Sequence, residues 1–159
     1  MEATSAQIET LLKSLAETPR RIASATLDLE DTCLQFKPNK NSWSVNDILA
    51  HLRACADVWG RSVMAMIAQD HPTLRYVSPR TWIRKTDYLE LEFHQSLVAF
   101  TRQREELVKS LEPLAITDWS RGATFTGTTK GREQTVLSYA QRMTQHENEH
   151  YEQVEALLK

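Results

Sequence analysis

"QDHPTLRYVSPRTWIRKT", residues 69–86, contains two prolines and no sustained hydrophobic period. It separates two segments with strong helical periodicity, so it reads as a connection. At about 3.3 Å per residue it is long enough to travel the full length of a ~35 Å helix. A tight hairpin would need far less chain. The segment can therefore act as a crossover, which permits the helices on either side to run parallel.

The helix before the crossover has a clear start. Ser44 is a good N-cap, Asp47 is its capping-box partner, and Trp43 is placed to staple onto Ile48. Ile48, Leu52, Cys55, Trp59 and Val63 recur at helical spacing, which predicts a helix reaching about Ala68. The helix after the crossover is expected over roughly Asp87 to Leu111, with Leu89, Phe93, Leu97, Phe100, Arg104, Leu107 and Leu111 along one side. A second long connection, "EPLAITDWSRGATFTGTTKGREQ", has the Thr and Gly content for a short extended excursion. The last helix is expected from Glu133 or Thr135 nearly to the end. The first opens near Thr4 or Ser5, and Pro19 predicts a kink or break within it.

"HENEH", residues 146–150, matches the zinc peptidase pattern H-E-x-x-H literally. The context argues against a peptidase. Only "YEQVEALLK" remains downstream to supply a third ligand, and the expected sheet is missing from the pattern. Glu147-x-x-His150 is also half of a di-iron carboxylate signature. Its other half is absent, because Ile48 and Leu91 stand three residues before His51 and His94.

A different grouping survives. His146 and His150 are one turn apart on a single helical face, continued by Tyr139, Met143 and Leu157. His51 shares its stripe with Ile48 and Cys55. It lies about 10 Å from the start of its helix, and His150 about 12 Å from the end of the last, at 1.5 Å per residue. Antiparallel packing of these two helices brings the histidines level, whereas parallel packing misses by roughly 6 to 12 Å on the same rise. Both observations give an all-α, up-down-down-up four-helix bundle, with the long crossover between helices two and three. His71 is expected in solvated loop, and His94 flanks its stripe.

Composition is that of one ordinary globular domain over residues 1–159, with 41% hydrophobic and 25% charged residues. A formal charge of −2 argues against an extended phosphate-binding face, so no nucleic acid partner is expected. No apolar run approaches the roughly 18 residues of a membrane span, the N-terminus is unlike a signal peptide, and two cysteines are too few for a disulfide framework. A cytoplasmic protein with no membrane partner is expected, and a homodimer is an open oligomeric state.

"WSVNDILAHL" (43–52), followed at the far end by "HENEHYEQV" (146–154), resembles the DinB/YfiT-like superfamily of small metal-binding four-helix proteins. The similarity extends through "TPRRIASATLDL", "DHPTL", "LVAFTRQREELVKSL" and "DWSR". The resemblance implies a three-histidine metal site, mapping onto His51, His146 and His150, and a bundle with the same crossover. Some relatives are thiol S-transferases or isomerases that use a low-molecular-weight thiol. Related sequences often carry acidic residues just after the helix-two histidine, where this chain has Ala54 and Ala56.

Three neutral imidazoles leave coordination positions open, as in catalytic rather than closed structural sites. The cofactor expected is a divalent metal, zinc or nickel first, with manganese and iron also compatible with imidazole. Glu147 and Glu149 are the candidates for orienting the rings or relaying protons. The function expected is that of a metal-dependent thiol transferase or hydrolase acting on a small molecule. The alternative is a non-catalytic metal- or ligand-binding bundle serving a stress response.

Overall fold

The computed structural model describes residues 2–159. Its elements are α1 (Ser5–Ala25), α2 (Asp31–Leu34), α3 (Val45–Ala68), β1 (Thr73–Arg75), α4 (Pro79–Ile83), α5 (Phe93–Leu111), β2 (Gly122–Thr126), β3 (Glu133–Thr135) and α6 (Val136–Leu157). Short 3₁₀ turns occupy Tyr88–Glu90 and Ile116–Ser120.

Four long helices make the bundle, and their starts are chemically marked. The Ser44 hydroxyl accepts from the Asp47 N–H, and the Asp47 carboxylate accepts from the Ser44 N–H, each at 3.0 Å. Thr4 with Gln7 and Thr135 with Ser138 close equivalent boxes at α1 and α6. At α5 the expected start at Asp87 moves to Phe93. The Glu92 carboxylate accepts from the N–H groups of His94 and Gln95 there, and Tyr88–Glu90 forms a separate turn.

Helix directions follow from which residues meet. Along α3, Arg53 bonds Ser96 and Asp57 bonds Gln103, so both chains advance together and α3 runs parallel to α5. Trp43 lies on His150, Trp59 on His146, and Arg142 over Trp59, so α6 descends as α3 rises. Packed pairs are α1 with α5 and α6, and α3 with α5 and α6. This is the up-down-down-up bundle expected from the length of the crossover.

Two apolar clusters fill it. One gathers Leu11, Leu15, Trp59, Leu111 and Met143; the other gathers Ile22, Ile48, Leu52, Phe100 and Val154. On α6, His146 and His150 fall between Met143 of the first set and Val154 of the second.

Two expectations change. The connection 112–135 does more than make an extended excursion, because β2 pairs parallel with β1 and antiparallel with β3. This small sheet adjoins the far end of α3, where Arg121 donates to the carbonyls of Met66 and Gln69. Gly122 permits the close β2–β3 approach, since a Cβ there would stand 2.5 Å from the Gln134 carbonyl oxygen.

Pro19 does not break α1. A proline has no N–H for the carbonyl four residues earlier, here Leu15. The buried Arg104 guanidinium of α5 donates to that carbonyl instead, at 2.9 Å. The missing helix bond is replaced by a tertiary one, and α1 runs on to Ala25.

Among the described residues, no helix is long and apolar enough to cross a membrane.

Candidate metal centre

The capping box at Ser44 fixes where α3 starts, and so places His51 two turns in, facing α6. His146 and His150 meet it from the antiparallel helix. The Nε2 atoms of His51 and His146 are 3.2 Å apart, and those of His150 and His146 are 3.0 Å apart. Ring centroids of the three residues lie between 4.4 and 5.1 Å from one another.

These spacings can be tested against ligation. Imidazole nitrogens about 2.1 Å from a common centre stand ~3.0 Å apart at right angles and ~3.4 Å apart at the tetrahedral angle. The observed 3.0 and 3.2 Å fall between these two values, so His146 is spaced from each of the other two rings as a pair of ligands to one ion would be.

Lone-pair availability is also set by the fold. Gln153, one turn beyond His150, has its side-chain oxygen 2.7 Å from His150 Nδ1. That bond places the His150 proton on Nδ1 and leaves Nε2 an acceptor. Burial, followed by the charges of His150 and Arg80, lowers the His51 pKa to about 4. Burial, then His150, His51 and Arg142, lowers that of His146 to about 3. Both rings are therefore neutral near pH 7, the form that binds metals. The Nδ1 of His146 is buried without a hydrogen-bond partner.

Cys55 is the fourth donor nearby. Its Sγ lies 3.5 Å from His51 Nε2, and the donor atoms of His51, Cys55 and His146 all fall within 4.8 Å of one another. Burial, and secondarily the Glu147 charge, push the thiol up to about 12. It is protonated at neutral pH.

The two glutamates of HENEH have different surroundings. Glu147 is buried and forms a bidentate ion pair with Arg104, whose Nη1 reaches Oε1 at 2.8 Å and whose Nη2 meets Oε2. Its carboxylate is committed to α5 and unavailable as a base. Glu149 is exposed, 3.3 Å from the Gln145 amide on the outer face of α6. The pattern H-E-x-x-H put Glu147 near its histidines in sequence, but about 100° per residue of helix rotation turns it to another neighbour.

Other residues reach the site besides those named as ligands or proton relays. The Trp43 ring stacks on His150 at 5.9 Å and 14°, and lies 5.0 Å from His51. Arg80 of α4 lines the cavities on either side of the histidines. The crossover carrying it is anchored by Asp57, which accepts from Trp82 Nε1 at 2.9 Å, Tyr88 OH at 2.6 Å and Gln103 Nε2 at 2.8 Å. His94 is exposed, outside the cluster. His71 lies on the surface, with Nε2 3.0 Å from Thr124 and 3.1 Å from Glu133.

Residues 14–154 match the family model of the DinB superfamily. The chain belongs to the DinB superfamily. Among solved structures, it resembles YfiT from Bacillus subtilis, described as a probable metal-dependent hydrolase with an unusual four-helix bundle topology. The TM-score is 0.84 at 17% identity, over 98% of this chain and 87% of the other. At that identity the likeness is one of fold. No curated protein sequence matches the chain significantly. The bundle expected from the crossover is thus the architecture of a family, down to its topology.

Proposed function

We propose that this DinB-superfamily chain is a metal-dependent hydrolase whose divalent ion is held by His51, His146 and His150. The observation that carries this is the convergence of three Nε2 atoms at 3.0 and 3.2 Å from two antiparallel helices. The description of YfiT as a probable metal-dependent hydrolase on the same fold supports it.

The protein's part is positional. Gln153 holds the His150 ring with its Nε2 lone pair inward, while burial keeps His51 and His146 unprotonated. Trp43 covers one side of the cluster and leaves the mouth towards Arg80. When bound, a divalent ion on three neutral imidazoles keeps its full charge and supplies Lewis acidity towards a water or a thiol. Zinc and nickel suit this donor set best, and manganese or iron is acceptable.

The same mouth admits a low-molecular-weight thiol, the S-transferase chemistry implied by the family resemblance. The compact His51–Cys55–His146 set favours a second ligand arrangement, in which Cys55 replaces His150.

Metal content of purified variants separates these readings. His51→Ala, His146→Ala and His150→Ala should each lose the ion, and Cys55→Ala should retain it. Retention by His150→Ala with loss by Cys55→Ala would establish the sulfur-containing set. Turnover of a test ester that needs metal but not thiol identifies a hydrolase, and turnover needing both identifies a transferase. A loaded protein inactive across esters, amides and thiol acceptors would indicate a non-catalytic metal-binding bundle.

A further inference from the structure

We propose that Arg80 is the anion-recognising residue of this site, and that the substrate is a small carboxylate with a flat body lying against Trp43. The proposal takes the histidine cluster from the reading above only as the place to which the rest of the substrate extends.

Arg80 and Trp43 together line two adjoining cavities. The larger, about 500 Å³, also contains His150 and Gln153. The smaller, about 260 Å³, contains His51. The pair is therefore common to both approaches to the histidines. The larger volume falls within the roughly 300–1,000 Å³ of small-molecule sites.

Arg80 is exposed, and among the described residues it has no hydrogen-bond or ion-pair partner. The other cation at the smaller cavity, Lys37, is already neutralised, with Nζ 3.2 Å from Asp47 Oδ2. One uncommitted positive charge thus remains at the mouth. Its backbone is held in place: Pro79 is buried, Trp82 is bonded to Asp57, and the Arg61 guanidinium lies 4.7 Å over the Trp82 ring.

A guanidinium presents a planar fork that matches a carboxylate with two parallel hydrogen bonds. Phosphate sites usually gather several donors, often at a long helix's N-terminus. A single free arginine fits a monoanion better. Trp43 supplies the complementary apolar surface. It is 38% exposed, although its ring is ordered by stacking on His150, so it offers area for a flat group.

The probes are 2-naphthoate, its neutral amide 2-naphthamide, and 2-naphthyl phosphate, titrated calorimetrically into metal-free protein. Metal-free protein is used because an ion in the cluster could bind a carboxylate itself. Naphthoate should bind more tightly than naphthamide. Arg80→Gln should weaken naphthoate by about tenfold or more, as expected for loss of a charge-assisted hydrogen bond. It should leave naphthamide unchanged. Trp43→Leu should weaken both probes.

Zinc content and circular dichroism of Arg80→Gln should equal those of the wild type, because Arg80 is exposed and is not among the metal-binding side chains. Equal naphthoate affinity in wild type and Arg80→Gln, no naphthoate binding at all, or tighter Arg80-dependent binding of the phosphate would each overturn the carboxylate assignment. Metal binding with any of those results leaves the metal centre standing alone. Arg80-dependent naphthoate binding by a protein that takes up no metal leaves the anion site standing and removes the metal reading.

Discussion

Replacing Arg104 with Met should be among the most damaging single changes in this bundle. The side chain is buried and serves two acceptors at once, the Glu147 carboxylate and the Leu15 carbonyl. Removing one partner of a buried ion pair costs about 3–5 kcal/mol, and an orphaned buried carbonyl about 1–3 kcal/mol. The two losses share a site and do not simply add. A cost of about 4 kcal/mol is a large fraction of the roughly 5–15 kcal/mol available to a domain.

Pro19 supplies the control. In the Arg104→Met background, Pro19→Ala restores an N–H four residues after Leu15, so the carbonyl regains a helix bond. It should recover about 1–3 kcal/mol there. In the wild type, where Arg104 already satisfies that carbonyl, the gain should be smaller. Urea unfolding of the four proteins measures this as a double-mutant cycle. An Arg104→Met cost below about 1 kcal/mol would refute the buried-pair account. Equal effects of Pro19→Ala in both backgrounds would refute the replacement of a helix bond by a tertiary one.

For the metal-free protein, stability should fall as pH drops from about 6.5 towards 4. His51 and His146 titrate at about 4 and about 3 when folded, so the unfolded chain takes up protons first and unfolding is favoured. A flat thermal midpoint from pH 7 to pH 4.5 in the wild type, compared with the His51→Ala/His146→Ala double variant, would contradict those depressed values. Asp57→Ala should loosen the crossover, giving faster hydrogen exchange over residues 79–90 than elsewhere. It should also lower the Tyr88 phenol from about 12, where burial and then its bond to Asp57 hold it. Ultraviolet titration of the tyrosines reads the second effect, and unchanged exchange at Trp82 would dispose of the first.

The bundle was legible because its information is local. Apolar spacing gives helices, Ser44 with Asp47 marks a start through neighbours three residues apart, and the length of 69–86 permits a crossover. The level of His51 against His150 followed from rise per residue once the two helices were set antiparallel, and the three rings do converge. What failed to read out depends on partners distant in the chain. Pro19 looks like a helix breaker until Arg104, 89 residues beyond Leu15, takes the vacated carbonyl. Nothing in HENEH shows that the rotation of α6 sends Glu147 to the same arginine, 43 residues back. Arg80 carries no motif, and it reaches the histidines only because the crossover folds back across the cluster. Local propensity depends on backbone sterics and short-range hydrogen bonds, which a sequence displays directly. The pairing of buried charges and the lining of a cavity depend on which faces the packed helices turn to each other, and only the folded chain decides that.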